Sequence, residues 1–289
     1  MNSQRFDKDQ ITIEKMTRQE VEVAIKWAEK EGWNPGIHDA ECFFNADPTG
    51  FYAAKINGEI VGTVSAVKYL TGFAFEGLYI VRPDFRGKGI GALLQKFVDD
   101  SCKDLNLGLD GVLRMQCNYF SHGFTFAYKN SRYAGTANDK NKFSDRCTPI
   151  SRKDFSEVAA FDANFFFSPR IAFLQSWLFQ KDTHAFLIRE NGTDTLSGYG
   201  VIRKCMRGNK IGPLFANDPK IAKELLGGLM STVPTEEVFL DVPESNLNGV
   251  ALASRHGMQP VFSTARMYTK QAPALPLNKI FGITSFELG

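Results

Sequence analysis

Apolar residues alternate with others along 51–57 and again along 60–69, and the pair Asn57-Gly58 stands between the two runs. Alternation has the period of a strand, and Asn-Gly supplies the positive φ angles of a tight hairpin. The same reading places strands near 11–16, 74–81, 107–111 and 124–130. Helical spacing predicts helices near 17–31, 87–103 and 113–122, with a shorter helical piece between the first helix and the hairpin. Thr17 precedes the first helix with Glu20 three residues on, the pattern of a capping box. In helix 87–103 the spacing sets Leu93, Leu94, Phe97 and Val98 on a buried stripe. Gln95, Lys96, Asp99 and Asp100 then face water.

The pattern occurs twice. Thr17 and Ser151, Asn57 and Asn191, Gly77 and Gly212, and Gly123 and Gly257 all stand 134 or 135 residues apart. A period this long is a duplicated domain and not a short solenoid repeat. The expected fold class is therefore α+β (mixed α/β), built from two similar units. The boundaries are 1–140 for the first unit, 149–270 for the second and 271–289 for a tail. The polar stretch 137–149 reads as the linker. The tail, with proline punctuation and an apolar end, is expected to dock on the units.

Composition narrows the partners. The chain has 289 residues and a net charge of +2, with no long Lys/Arg run, so neither nucleic acid nor an acidic membrane surface is called for. No apolar stretch reaches eighteen residues, and the opening residues lack a leader-like apolar segment. Five scattered cysteines and four dispersed histidines, with no CxxC spacing, favour reduced thiols, a cytoplasmic setting and no metal site.

The densest chemical signal is "FEGLYIVRPDFRGKGIGALLQKFVDD", residues 75–100. Glycines at 87, 89 and 91 lie between a strand and a helix, where backbone amides and the helix dipole favour phosphate. A nucleoside-triphosphate loop requires Ser or Thr after its Gly-Lys, and here Lys88 is followed by Gly89. A dinucleotide loop starts directly after its strand, whereas Pro83-Asp84-Phe85-Arg86 intervene here. Arg86-x-x-Gly89-x-Gly91 after Val81-x-Pro83 resembles motif A of the GNAT superfamily of N-acetyltransferases. "AEKEGWNPGIHDAECFFNADPTGF" and the closing "FGITSFELG" extend the resemblance to the YitH-like subgroup, in which a divergent GNAT-like domain follows the first.

The resemblance implies acetyl-CoA as cofactor. Coenzyme contacts then fall on Tyr79, Ile80 and Val81, whose strand pairs with pantetheine like an added strand. They continue on Arg86, Gly87, Lys88, Gly89, Ile90 and Gly91 at the pyrophosphate, with Asn118 as a further contact. The family's catalytic tyrosine, four residues before a Gly-Phe, corresponds to Tyr119 before Gly123-Phe124. Its phenol donates a hydrogen bond as charge develops on the leaving sulfur; the plainer alternative is an aromatic on an amphipathic helix. The asparagine that the family often has seven residues earlier is Val112 here. For the base, Glu76 is a candidate. Yet counting back from Val81 aligns the family's glutamate better with Phe75, and alternation then turns Glu76 to the opposite face. His122 and a water chain are the other options. Acceptor contacts are expected from Trp33, Asn34, His38 and Asp39, or else these form a Pro-Gly turn with a hydrophobic plug and a helix cap.

In the second unit the glycine-loop positions become Ile221, Glu224 and Leu226, and the tyrosine position becomes Ala253. The expectation is tandem GNAT folds, an N-terminal coenzyme-binding one and a C-terminal degenerate copy, with one active site. The expected reaction is transfer of an acetyl group to a primary amine of a small metabolite. A peptide or protein N-acetyltransferase and a non-catalytic acyl-CoA sensor are the alternatives.

Overall fold

The computed structural model describes residues 10–138 and 143–289. The first nine residues of the expected first unit and positions 139–142 of the expected linker lie outside the described residues. The first half contains strands β1 (Ile11–Lys15), β2 (Phe51–Ile56), β3 (Glu59–Tyr69), β4 (Phe73–Val81), β5 (Asn106–Val112) and β6 (Thr125–Thr136). Its helices are α1 (Arg18–Lys30), α2 (Asp39–Ala46), α3 (Ile90–Cys102) and α4 (Gln116–Ser121). The second half repeats the order with β7 (Thr148–Pro149), β8 (Thr183–Arg189), β9 (Leu196–Lys204), β10 (Asn209–Ala216), β11 (Glu237–Pro243) and β12 (Gln259–Tyr268). Its helices are α5 (Phe155–Asp162), α6 (Ile171–Phe179), α7 (Pro219–Ser231) and α8 (Leu247–Arg255), and a short strand β13 (Ile280–Gly282) follows.

Local chemistry accounts for these elements. The Thr17–Glu20 capping box closes the start of α1, whose Val21, Ala24, Ile25 and Ala28 form one buried stripe. Asn57 and Gly58 both take positive φ at the β2–β3 turn, as a two-residue hairpin demands. On α3 the stripe differs from the expected one. Gln95 is fully buried with Leu94 and Val98, because its amide bonds to Glu76 on the sheet beneath.

All strands join one sheet, in the order β1-β2-β3-β4-β5-β12-β6-β11-β10-β9-β8-β7, with β13 beside β10. The halves exchange their last long strands. β12 lies against β5 of the first half, β6 lies against β11 of the second, and the two pair antiparallel with each other. Continuous backbone bonding thus fuses the copies through the middle of the sheet.

Each half also contains a place where parallel neighbours part. β4 and β5 pair from Phe73 with Asn106 to Glu76 with Leu109 and no further. β10 and β11 pair from Asn209 with Val238 to Ile211 with Leu240 and then part in the same way. In the second half the opening is filled by the tail. Leu214 pairs with Gly282 and Phe215 with Ile280, while the Ile283 amide donates to the Asp241 carbonyl at 2.8 Å. Asn246 caps α8 and also donates from Nδ2 to the Ile280 carbonyl.

Candidate active site

Where β4 and β5 part there is a cavity of about 410 Å³. One wall is β4 from Glu76 to Val81, whose edge is free of β5 from Gly77 on. Another is the turn into α3, with Arg86, Gly87, Gly89 and Gly91, and Tyr119 of α4 borders a third side. The second half closes it with Phe262 and Thr264 of β12 and with Phe286 and Glu287 of the tail.

The glycine turn owes its shape to two distinct requirements. Gly87 and Gly89 have φ of 75° and 85°, which side-chain-bearing residues rarely adopt. Gly91 is needed for space, since a Cβ there would come within 2.6 Å of the Tyr79 hydroxyl. Gly89 caps α3 and brings no side chain to its first amides. The opening turn of this thirteen-residue helix therefore offers N–H donors beside the cavity, where the dipole favours an anion. Arg86 lies at the mouth, donating through Nε to the Val81 carbonyl at 2.9 Å and pairing with Glu31 through Nη2.

β4 carries a bulge that redirects its side chains. Ser65 pairs with Gly77 and Thr63 with Ile80, so two steps on β3 meet three on β4, and Leu78 takes φ of 46°. The extra residue reverses the alternation. Glu76, expected to face away, lies on the α3 side with its Oε2 accepting from Gln95 Nε2 at 3.1 Å. Its Oε1 is buried without a hydrogen-bonding partner. Burial pushes the Glu76 carboxyl up to about 7, with Gln95 opposing and Asp99 adding to the rise. Gln95 also donates to Asp99 Oδ1 at 3.1 Å, and Asp99 Oδ2 lies 3.0 Å from His122 Nδ1. Polar groups thus run from the buried carboxylate to a half-buried histidine.

Tyr119 is buried, edge-on to Phe124 and pressed onto Gly111, where a Cβ would lie 2.3 Å from its ring. Burial, reinforced by Glu76, raises its phenol well above the usual range. It therefore remains a hydrogen-bond donor at any working pH.

Other expected residues stand elsewhere. Asp39 is fully buried and bidentate to Arg203 of β9, at 2.8 and 3.0 Å. Burial opposes its ionisation, but the Arg203 guanidinium outweighs this and holds the carboxyl below its ordinary value. His38 pairs with Asp182, and Asn34 bonds the Arg207 backbone through both its amide groups. All three fasten the first half to the second instead of facing the cavity, and of the four expected acceptor residues Trp33 alone lines it. Among the expected coenzyme residues, Lys88 is exposed with Nζ 5.0 Å from the Phe85 ring centre. The Ile90 side chain is buried in the core, and Asn118 lies outside the cavity lining.

Sequence reasoning missed Phe262, Phe286 and Glu287, which reach the site from the second half. The lone acid in the apolar close "FGITSFELG" was the one available signal. Among the described residues no helix is long and apolar enough to cross a membrane, and no group of three candidate metal ligands occurs.

Comparison with known proteins follows this geometry. A family model described as "Acetyltransferase (GNAT) family" matches residues 18–137, and one described as "Acetyltransferase (GNAT) domain" matches 158–282. The chain is 34% identical over 272 residues to a protein of Pseudoalteromonas sp. (strain SANK 73390) named holothin acyltransferase, covering 94% of this chain and 92% of that one. A Pyrococcus horikoshii protein assigned to the acetyltransferases shares the fold with TM-score 0.80 and 20% identity, over 100% of this chain and 99% of its own. A tandem GNAT protein from the clavulanic acid biosynthesis pathway superposes with TM-score 0.63 and 11% identity, over 91% and 100% of the two chains.

Proposed function

The chain belongs to the GNAT acetyltransferase family, and from that premise we propose that its first half transfers an acetyl group from acetyl-CoA to a primary amine of a small metabolite. The observation that carries the reading is one cavity joining three features: a helix start with no side-chain cap, an unpaired strand edge and a buried tyrosine. Loop amides at Gly89–Gly91 and the charge of Arg86 suit a pyrophosphate, with Glu31 giving up its pairing to Arg86. The free edge of β4 from Gly77 to Val81 offers backbone groups to an extended amide-bearing arm, as an added strand would. Helix-start amides with no side-chain partner fit an anionic group that approaches the backbone closely.

Acetyl-CoA would supply the activated thioester. The chain's own residues would orient it, accept one proton from the amine and hydrogen-bond the departing thiolate, which takes its proton from solvent. Glu76, half ionised near neutral pH, is suited to accept the proton of the attacking amine. Tyr119 donates a hydrogen bond to the departing sulfur. A cavity of 410 Å³ that must hold the end of the coenzyme and the acceptor together favours a small acceptor over a peptide.

The test is a coupled thiol-release assay over amines and peptides, with acyl chains of several lengths and with holothin first in the panel because of the relative's name. Turnover on small amines and loss with Tyr119→Phe are expected. Preference for peptides would favour the protein-directed alternative. Coenzyme binding with no turnover on any acceptor would favour a sensor.

A further inference from the structure

Charged side chains from three elements meet at the cavity. Glu31 ends α1, Arg86 precedes the turn into α3, Arg114 follows β5, and all three line the cavity. Glu31 Oε1 accepts from Arg86 Nη2, and its Oε2 lies 3.9 Å from Arg114 Nη2. One carboxylate thus joins two guanidinium groups, one carried on the β4 side of the parted strands and one on the β5 side.

Local structure disfavours an acid at this place. Glu31 is the C-cap of α1, at the negative end of the helix dipole, where a carboxylate costs stability. Among the described residues its carboxylate has no partner besides the two arginines. The cluster is also open to solvent: the side chains of Glu31, Arg86 and Arg114 are 19%, 47% and 76% exposed. An incoming anion can therefore reach both arginines without unpacking the core.

The arginines have donors to spare. Arg86 is anchored through Nε on the Val81 carbonyl at 2.9 Å, which leaves both Nη groups for an anion. A contact of 3.9 Å is an ion pair without a hydrogen bond, and among the described residues Arg114 has no other partner for its guanidinium. Neighbouring Arg82, by contrast, is consumed by Glu59 and by Asp84 at 2.8 Å. Glu31 divides its two oxygens between two planar forks, each shaped for two parallel bonds to one anion. A pyrophosphate has enough oxygens to satisfy both.

We propose that Arg114 is a second phosphate-binding residue, closing with Arg86 on the coenzyme pyrophosphate, and that the Glu31 carboxylate keeps the place of that pyrophosphate between the two guanidinium groups and yields it when coenzyme binds. The inference rests on the acetyltransferase reading of the same cavity. It gives the coenzyme a competitor within the chain. Displaced beside bound phosphates, Glu31 is repelled by them, so it lowers affinity and favours release of the spent coenzyme.

The experiment is calorimetric binding of coenzyme A and of dephospho-coenzyme A, which keeps the pyrophosphate but lacks the phosphate on the ribose. Wild type is compared with Glu31→Gln, Arg114→Gln and Arg114→Lys. Glu31→Gln should tighten both ligands at least threefold, and Arg114→Gln should weaken both at least fivefold. Arg114→Lys, which keeps the charge, should recover part of the loss. Unchanged or weaker binding by Glu31→Gln overturns the proposal, since Glu31 then only orients Arg86. So does a Kd within twofold in Arg114→Gln, and so does an effect confined to coenzyme A, which puts Arg114 on the ribose phosphate. The expected shifts without turnover on any amine would defeat the transfer reading and uphold the clasp. A wild type that binds neither ligand defeats the acetyltransferase reading. Inorganic pyrophosphate then decides for the clasp: tightening of threefold or more in Glu31→Gln with loss in Arg114→Gln upholds it, and unchanged or undetectable binding overturns it.

Discussion

The two halves solve the same problem in opposite ways. Both have a pair of parallel strands that part, and both have a helix that starts beside the gap. In the first half the start of α3 is capped by a glycine, leaving its amides without a side-chain partner. In the second, Asp218 accepts from the Lys220 and Ile221 amides at 2.8 and 3.0 Å, so the corresponding donors are already used. The first gap is a cavity; the second holds β13, which supplies backbone bonds where an outside molecule would otherwise have to. Loss of a site therefore took more than loss of glycines. The donors and the strand edge were each satisfied from within the chain, which makes the second half a stable support for the first.

Paired substitutions sharpen the contrast, and the largest effect belongs to the tyrosine. Tyr119→Phe should lower kcat by about 10²–10³ with coenzyme affinity unchanged, in the range for losing one hydrogen-bond donor to developing charge. Ala253→Tyr at the matching place should change neither, and activity gained there would break the comparison.

Glu76→Gln comes next. The folded carboxyl sits at about 7 against an ordinary 4.5, so the folded state holds its proton more tightly than the unfolded chain. That contribution is full below about 4.5 and is lost as pH rises through about 7. Glu76→Gln should therefore be more stable than wild type above pH 7, by about 3 kcal/mol at 1.4 kcal/mol per pH unit, and not at pH 4. Denaturant melts at the two pH values check this. Activity of wild type should rise with pH through about 7, and the variant should lose that limb.

Gly89→Val should weaken coenzyme binding about tenfold or more, because a side chain at φ of 85° is strained by about 1–3 kcal/mol. Glu224→Gly should not create a second site, and titration should find one coenzyme per chain; two would break the comparison outright. Smallest of all, Asp218→Ala should cost about 1 kcal/mol of stability through the lost cap, with coenzyme affinity unchanged.

Local signals in the chain translated well into local structure. Asn57-Gly58 made its hairpin, Thr17 with Glu20 made its capping box, and the spaced glycines made an open turn. What failed was whatever depended on distant partners. Polarity points Gln95 to water, yet its amide serves a glutamate on another element. The bulge at Leu78 shifted the phase of β4, and counting by twos cannot see a residue inserted relative to a neighbouring strand. Asp39 suited a cationic ligand by charge, but its cation is Arg203, 164 positions away. Nor does an alternating pattern say which strand will lie alongside, so the exchange of β6 and β12 was invisible.

That exchange has a consequence for how the molecule comes into being. β5 acquires its second neighbour only from residues 264–268, far later in the chain. Until then the growing chain carries an unpaired edge beside its future cavity, and such edges invite pairing with other chains. The first half cannot finish its sheet as an autonomous folding unit. Cutting the chain between the copies would yield two incomplete sheets and not a smaller enzyme.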